Sequence, residues 1–222
     1  MSEHTNPESK PEVDSDYWAR YYAVTVERPA WATVRKAIEL FEAEPGARDP
    51  GGDPAVGRGR FAVDLGCGGG RDSRALLRAG WRVLAMDREP AALEVLEKAA
   101  EPEARARLRT AVGDFATFEI PPCDLVNASL CLPFVERDQF EAMWSRIVAA
   151  LPPGGRFSAM LFGDRDDSAG EAGMTCLPPE RIDEMLAGFE IEHWSDSQED
   201  TKTALGEPHH FHLVEFVARK LG

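Results

Sequence analysis

The sequence has little positive charge. Its 25 lysines and arginines face 39 aspartates and glutamates, which gives a formal net charge of −14. Proteins that bind nucleic acid through its phosphates need clustered lysines and arginines, and the sequence contains no such cluster. The acids are concentrated in residues 1–16 and 163–208. We therefore predict no nucleic acid partner and interpret the acidic segments as solvated surface.

Long apolar runs and paired cysteines are also missing. No stretch of 18 apolar residues occurs, so no membrane span is predicted, and the polar, acidic N-terminus lacks the pattern of a signal peptide. Cys67, Cys123, Cys131 and Cys176 are far apart and form no CxxC pair. Neither a zinc site nor a disulfide framework is predicted. These features favour a cytoplasmic protein without a metal centre.

Proline, glycine and polar residues divide the chain into four parts. Residues 1–14 predict a disordered acidic tail. Residues 15–44 predict two helices crowded with aromatic side chains, which we interpret as an N-terminal helical lid. Residues 45–59 are nearly all Gly, Pro, Asp and Arg and predict a loop. Residues 60–222 then alternate strands and helices in one predicted domain.

The alternation after residue 60 predicts the fold class. Seven segments have the composition of strands: FAVDLG, WRVLAMD, ARLRTAVGD, CDLVNASL, GRFSAMLFG, EIEHWSD and HHFHLVEFVARK. Helical segments separate most of them, which implies right-handed βαβ units and a parallel sheet covered on both faces. We predict an α/β, Rossmann-like, seven-stranded sheet that is mostly parallel.

A glycine-rich turn is the sharpest motif in the chain. The sequence DLGCGGG at residues 64–70 follows the first predicted strand and opens a helix. Glycines allow a tight turn and let a ligand lie against the backbone, and open α/β sheets bind ligands at the carboxyl ends of their strands. Asp87 ends the second predicted strand, where a carboxylate can accept hydrogen bonds from a ribose diol. The two features together predict a nucleoside site.

The spacing of the glycines separates two classes of nucleoside-binding protein. A dinucleotide fingerprint, GxGxxG, fails because Arg71 stands sixth when counted from Gly66. The pattern DxGxGxG fits instead, and it resembles motif I of the class I S-adenosylmethionine (SAM) methyltransferases. The sequence Gly113-Asp114-Phe115 and the PPGG turn at residues 152–155 resemble further features of that family. The resemblance covers residues 60–162 well and the rest of the chain in outline.

The string DLGCGGGRDSRALLRAGWRVLAMD looks most similar to the tellurite-resistance branch of small methyltransferases. The family resemblance also implies an antiparallel last strand. It implies SAM as the cofactor, a small-molecule acceptor as the partner, and the following cofactor-binding residues: Asp64, Gly66, Cys67, Gly68, Gly70, Arg71, Asp87, Arg88, Asp114, Phe115 and Ser129.

The resemblance implies a role for each of these positions. Asp64 would hold the turn and the methionine amino group, and the glycines would admit the methionine and ribose. Asp87 would take the ribose hydroxyls, with Arg88 beside the adenine. Asp114 would accept from the adenine amino group, and Phe115 would flank the ring.

Two implied roles have equally simple structural alternatives. Ser129 would lie near the donor methyl, or would be an ordinary strand-end serine. Arg71 would approach the methionine carboxylate, or would merely cap the turn. Asp114 has an alternative as well, since aspartate often caps turns.

The acceptor side offers fewer signals, and the catalytic residue is unknown. Tyr21 lies in the aromatic first helix, whose rings would wall a substrate pocket or simply pack the helix onto the sheet. His210 and His212, with His209 and Asp200 nearby, are candidate bases or structural residues; three histidines also suggest a metal site, but only weakly. Tyr21, His210 and His212 are the catalytic candidates.

We predict that the chain transfers a methyl group from SAM to a small molecule, with the acceptor atom and the oligomeric state left open. Three alternatives are a SAM-binding sensor or scaffold without transfer activity, a nicotinamide-dependent oxidoreductase, and a methyltransferase that acts on a basic protein attracted by residues 163–208.

Overall fold

The computed structural model describes residues 15–44 and 59–222. The predicted tail and most of the predicted loop at residues 45–59 therefore lie outside the described residues. The described part contains six α-helices: α1 (Ser15–Thr25), α2 (Ala32–Glu42), α3 (Arg71–Arg78), α4 (Pro90–Ala99), α5 (Arg137–Ala150) and α6 (Pro179–Met185). None of these helices is long and apolar enough to cross a bilayer.

Seven strands form a single sheet in the order β3-β2-β1-β4-β5-β7-β6. Their bounds are β1 (Phe61–Leu65), β2 (Arg82–Asp87), β3 (Leu108–Val112), β4 (Leu125–Ser129), β5 (Arg156–Phe162), β6 (Phe189–Lys202) and β7 (Pro208–Lys220). The first five strands run parallel, and β7 is antiparallel to both of its neighbours. The predicted fold class, including the antiparallel last strand, is confirmed.

Strand β6 is longer than its sequence predicts. The expected strand ends at residue 196, whereas the observed one continues to Lys202 and pairs with β7 as far as Pro208. The added residues, SQEDTK, are polar and exposed, so they carry no hydrophobic alternation. Ladder hydrogen bonds to β7 hold them in an extended conformation, and the hairpin therefore projects beyond the last pair of β5 and β7, Phe162 and Leu213.

Apolar side chains cover both faces of the sheet. On one face, α3 and α4 pack over β1, β2 and β3, and α2 packs over β5 and β7, through residues such as Val34, Leu76 and Leu96. On the other face, α5 and α6 pack over β4, β5 and β7 through residues such as Met143 and Ile182. The switch in strand order between β1 and β4 leaves a crevice at the carboxyl edge, which is where such sheets bind ligands.

A buried arginine connects the end of α2 to strands β5 and β6. Arg156, at the start of β5, is 3% exposed. Its guanidinium donates to Glu192 on β6 at 2.6 Å and to Glu44, just beyond α2, at 2.6 Å. It also lies 4.2 Å from the ring centre of Phe41. Two carboxylates and an aromatic face compensate the buried charge, so the N-terminal helices are held to the last strands of the sheet.

Candidate functional site

The turn after β1 requires glycine at two positions. Gly66 has a φ of +58°, and a Cβ there would lie 2.3 Å from the Cβ of Cys131. Gly70, directly before α3, has a φ of +83°, and its Cβ would lie 2.2 Å from Cδ1 of Leu96. Only glycine adopts such angles without strain, and no side chain fits these gaps. The glycine pattern therefore follows from the close packing of this turn.

Asp87 lies beside the turn at the end of β2. Its two carboxylate oxygens accept hydrogen bonds from the N–H of Gly68 at 2.8 Å and the N–H of Glu89 at 3.0 Å. Burial raises the pKa of the Asp87 carboxyl, while these hydrogen bonds act in the opposite direction. Carboxylate oxygens have further lone pairs, so Asp87 can also accept hydrogen bonds from the hydroxyls of a ligand.

Two carboxylates are buried together at the start of α3. Asn127 on β4 joins them, because its amide nitrogen donates to Asp64 at 2.9 Å and to Asp72 at 3.1 Å. Ser73 also donates to Asp64, at 2.5 Å. Burial, and then the charge of Asp72, raise the pKa of Asp64. Within the described parts of the chain, no lysine or arginine forms a salt bridge with either carboxylate, so the pair is suited to binding a cation.

Asp72 connects this pair to two other elements. The Ser129 hydroxyl at the end of β4 donates to Asp72 at 2.7 Å, and the backbone N–H of Trp31 before α2 donates to it at 2.9 Å. Asp72 is 4% exposed. A single carboxylate therefore positions the end of β4 and the start of α2 around the glycine turn.

The contribution of Asp64 to the free energy of unfolding is expected to fall as the pH rises from about 4 to about 7. The pKa of this carboxyl is about 7 in the folded protein and about 3.9 in an unfolded chain. The native state binds the proton more tightly, so this contribution is complete below pH 4 and is lost as the pH rises through the folded pKa. Urea unfolding of the wild type and of Asp64→Asn between about pH 4 and about pH 7 measures this contribution to the free energy of unfolding.

In that experiment, the difference in unfolding free energy between wild type and Asp64→Asn should depend on pH, since the asparagine does not titrate. Ionisable groups remote from Asp64 affect both proteins alike and cancel in the difference, so the remaining pH dependence belongs to Asp64 and its coupled neighbour Asp72. Parallel stability curves for the two proteins would contradict the assignment of the shifted pKa to Asp64.

A small cavity lies between the glycine turn and the N-terminal helices. Its volume is about 50 Å³. The residues that line it come from the turn, α1, the start of α2, the start of α3 and the end of β4: Tyr21, Thr25, Val26, Trp31, Asp64, Gly66, Cys67, Gly68, Gly69, Arg71, Asp72 and Ser129. Five predicted cofactor residues of the turn and α3, together with Ser129 and the catalytic candidate Tyr21, therefore meet around one cavity.

Aromatic residues of α1 form the roof over the turn. Tyr22 is 3% exposed, and its ring would lie 3.3 Å from a Cβ at Gly68. Burial, and then the negative charge of Asp87, raise the pKa of the Tyr22 hydroxyl. Burial likewise raises the pKa of Tyr21. Trp18 extends the aromatic cluster to Phe134 after β4, with ring centres 5.5 Å apart.

Arg71 fastens the roof to the turn. Its guanidinium donates to the carbonyl oxygen of Pro29, with Nε at 2.9 Å, and lies 4.1 Å from the ring centre of Trp31. The side chain also lines the cavity. Arg71 thus connects α3 to the segment between α1 and α2.

Arg88, Asp114 and Phe115 are cofactor candidates that do not line the cavity. Arg88 is exposed and forms an ion pair with Glu89 at 3.4 Å. The Asp114 carboxylate accepts from the N–H of Ala116 at 2.7 Å, which is a turn-capping contact. Phe115 approaches the turn, since its Cζ would lie 3.2 Å from a Cβ at Gly66.

Cys67 and Cys131 are buried beside the glycine turn. The Cys67 N–H donates to the carbonyl of Met86 at 2.9 Å, and the Cys131 thiol donates to that of Leu65 at 3.0 Å. Burial raises the pKa of both thiols well above the usual range. Neither thiol therefore has the lowered pKa that a reactive cysteine needs.

The histidine candidates lie on the β6–β7 hairpin and do not line the cavity. His212 is fully buried: Nδ1 accepts from the backbone N–H of Arg165 at 3.1 Å, and Nε2 lies 2.9 Å from Asp196. His210 contacts Asp200 at 2.6 Å on the surface. Both ring nitrogens of His212 have partners, so its contacts are those of a structural residue. Among the described residues, no group of His, Cys, Asp and Glu has the arrangement of a metal site.

Three residues of the site, Asp72, Asn127 and Trp31, were not predicted from the sequence. An aspartate in the first turn of a helix is common because it complements the helix dipole, so Asp72 carried no special signal. Trp31 meets Asp72 across 41 residues, and only the folded chain shows the contact.

Comparison with known proteins agrees with this geometry. Residues 62–155 match a family profile described as a methyltransferase domain. No curated protein sequence matches the chain significantly.

Three solved structures share the fold. TehB from Haemophilus influenzae superposes with a TM-score of 0.69 at 17% identity, over 93% of this chain and 66% of that one. The 1,6-didemethyltoxoflavin-N1-methyltransferase of Burkholderia thailandensis, solved with bound 1,6-didemethyltoxoflavin and S-adenosylhomocysteine, superposes with a TM-score of 0.61 at 22% identity, over 98% of this chain and 93% of that one. A TehB-like SAM-dependent methyltransferase of Corynebacterium glutamicum superposes with a TM-score of 0.58 at 20% identity, over 93% of this chain and 97% of that one.

The sheet order and the glycine turn are those of class I SAM-dependent methyltransferases, and the match to a methyltransferase domain covers residues 62–155 of this chain. The cofactor of this class is SAM. The chain spans 66% of the length of the H. influenzae protein.

Proposed function

We propose that the protein transfers the methyl group of SAM to a small-molecule acceptor in the cytoplasm. The observation that carries this proposal is the cavity between the glycine turn, Ser129 and α1. Its charged floor fits the methionine end of the cofactor, and Asp87 lies next to it at the position for the ribose. The roof formed by α1 favours an acceptor that fits into an enclosed space.

The residues fit the cofactor as follows. Asp64 and Asp72 would bind the methionine ammonium, since these buried carboxylates lack a salt bridge in the described structure. Asp87 would accept hydrogen bonds from the ribose hydroxyls. Phe115 would lie against the adenine, with Arg88 and Asp114 at its rim. Because Arg71 is held by Pro29, its contact with the methionine carboxylate would require that bond to be exchanged.

The protein contributes to methyl transfer mainly by aligning the acceptor with the cofactor and by excluding water. The cofactor supplies a methyl group on a sulfonium, a good leaving group, so the acceptor must be held in line with that bond. Ser129 is fixed by Asp72 at the end of β4, and Tyr21 and Trp31 close the opposite side of the cavity. These side chains would exclude water and limit the directions from which an acceptor approaches.

The small-molecule acceptor is supported by the B. thailandensis structure, which holds 1,6-didemethyltoxoflavin. A protein acceptor would need an open cleft, whereas the contact between Trp18 and Phe134 joins α1 to the segment after β4. A SAM-binding sensor without transfer activity has the same cofactor residues and differs only in lacking turnover. The absence of the last fingerprint glycine continues to disfavour a nicotinamide cofactor.

Calorimetric titration with S-adenosylhomocysteine tests the proposed cofactor site. We expect micromolar binding to the wild type and binding at least tenfold weaker to Asp87→Ala, because hydrogen bonds to a charged group contribute about 1.5–3 kcal/mol. Glu94→Ala on the exposed side of α4 is the matched control and should bind like the wild type. A folded wild-type protein that does not bind would overturn the proposal.

Transfer activity is tested separately from binding. Formation of S-adenosylhomocysteine from SAM in the presence of acceptor mixtures distinguishes an enzyme from a sensor. A sensor would bind SAM and S-adenosylhomocysteine but would form no S-adenosylhomocysteine from SAM.

A further inference from the structure

A row of polar side chains crosses the sheet, beginning at the cofactor cavity. Asp64 on β1 pairs with Asn127 on β4, and Asn127 pairs with Ser158 on β5. Side chains at directly paired positions point to the same face of a sheet. The first pair is in contact, since the Asn127 amide nitrogen donates to Asp64 at 2.9 Å. Ser158 is therefore the next neighbour of Asn127 in this row, on the side away from Asp64.

Two atoms of this row are buried without a hydrogen-bond partner among the described residues. They are Oδ1 of Asn127 and Oγ of Ser158, and both residues are 0% exposed. The two atoms are complementary, because an amide oxygen accepts hydrogen bonds and a serine hydroxyl can donate one. Buried polar groups of native proteins are nearly always hydrogen-bonded, so each of these two atoms requires a partner.

Asn127 is the polar neighbour of Ser158 in this row. On the other side of Ser158 the row continues with Val217 on β7, which is apolar and buried. Neighbouring strands lie about 4.8 Å apart. A serine hydroxyl spans this separation directly, from a suitable rotamer, or through one bridging water. The Ser158 hydroxyl is thus placed to donate to Oδ1 of Asn127.

The orientation of the Asn127 amide determines the charge at the cofactor cavity. Its nitrogen donates to both Asp64 and Asp72, so a flipped amide would turn its oxygen toward two carboxylates. Burial, and then the charge of Asp72, raise the pKa of Asp64, and Asp87 adds a smaller effect in the same direction. The hydrogen bonds from Ser73 and Asn127 lower this pKa. A fixed amide therefore favours the ionised form of the two carboxylates, which is the form that binds an ammonium group.

We propose that Ser158 is a positioning residue for the cofactor. Its hydroxyl holds Oδ1 of Asn127, and the amide nitrogen thereby stays directed at Asp64 and Asp72. The assignment rests on the proposed function, in which these two carboxylates bind the methionine ammonium of SAM. Ser158 itself does not line the cavity, so it acts on the cofactor only through Asn127.

Calorimetric titration of the full chain carrying Ser158→Ala tests the assignment with two ligands. S-adenosylhomocysteine has the amino acid part of the cofactor, and 5′-methylthioadenosine lacks it. At about pH 7 we expect S-adenosylhomocysteine to bind the variant about fivefold more weakly than the wild type, the effect of about one lost hydrogen bond. Binding of 5′-methylthioadenosine should change less than about twofold. The loss should grow as the pH falls from about 8 to about 6, because carboxylates that lose a hydrogen bond bind protons more tightly.

Thermal unfolding gives a second readout, in which the sign of the change decides. If Ser158 donates to Asn127, its removal leaves a buried amide oxygen unpaired, and the melting temperature should fall by roughly 2–4 °C. If the hydroxyl has no partner, its removal relieves a buried unsatisfied group, and the melting temperature should rise. A higher melting temperature for Ser158→Ala would therefore overturn the assignment.

Thr33→Val is the matched control. Thr33 lies in the first turn of α2, is fully buried, and has a hydroxyl without a partner among the described residues, but it is not a strand neighbour of Asn127. The substitution keeps the shape of the side chain, and the variant should bind both ligands like the wild type.

Three results would count against the role of Ser158. They are unchanged binding of S-adenosylhomocysteine by Ser158→Ala, equal weakening of both ligands by this variant, and a loss of the same size and selectivity in Thr33→Val. A wild type that does not bind S-adenosylhomocysteine counts instead against the proposed function.

Discussion

Gly70→Ala is expected to lower the melting temperature by roughly 5–15 °C. The substitution forces a Cβ into the left-handed region, which costs about 1–2 kcal/mol, and places it 2.2 Å from Cδ1 and 2.8 Å from Cβ of Leu96. Overpacking of a well-filled core adds about 1–3 kcal/mol, and each kcal/mol shifts the melting temperature by about 2–4 °C at this chain length. Thermal unfolding followed by circular dichroism measures the effect.

Gly154→Ala is the matched control for this experiment. Gly154 has a φ of +85°, close to that of Gly70, but nothing lies within 4 Å of its would-be Cβ. Its substitution therefore carries the backbone strain alone and should cost about 1–2 kcal/mol. If Gly70→Ala and Gly154→Ala lower the melting temperature equally, the contact with Leu96 contributes nothing to the destabilisation of Gly70→Ala.

Asp72→Asn is expected to weaken the binding of S-adenosylhomocysteine at least tenfold and to change the binding of 5′-methylthioadenosine less than twofold. The first ligand has the amino acid part with its ammonium group, and the second lacks it. Asparagine retains the size of aspartate and removes the charge, so the difference isolates the charge-assisted hydrogen bond to the ammonium group. Calorimetric titration of both ligands against wild type and variant forms a double cycle.

Asp124→Asn is the corresponding control, because Asp124 accepts the N–H of Phe61 at 2.7 Å and does not line the cavity. A variant that only disturbs the structure should weaken the binding of S-adenosylhomocysteine and of 5′-methylthioadenosine by similar factors. If Asp72→Asn behaves in this way as well, Asp72 has no direct role at the ammonium group.

Regular patterns made the fold predictable. The strand-and-helix alternation, the glycine turn and the strand-end Asp87 are local features, and the structure confirms the sheet that they predict. The extension of β6 was not predictable because its residues are polar, and their conformation depends on the partner strand. Pairing with β7, not hydrophobic burial, determines where β6 ends.

Only those parts of the candidate site whose residues are close together in sequence were predictable. The residues of the turn meet because they are neighbours in sequence. Asp72 meets Asn127 of β4 across 55 residues and Trp31 before α2 across 41 residues, and no local pattern records either contact. His212 illustrates the converse case: the strand alternation was clear, but the backbone N–H of Arg165 that occupies its ring nitrogen comes from a loop 47 residues earlier.

The fastening of α2 to Arg156 has a consequence for synthesis on the ribosome. Glu44 and Arg156 are 112 residues apart, so the N-terminal helices leave the ribosome long before the strands that bury them exist. The apolar side chains of α2 that pack against β5 and β7 must remain exposed to water during that interval, because long-range contacts form late. Premature termination before β5 would therefore leave this face of α2 uncovered, the kind of apolar surface that chaperones bind.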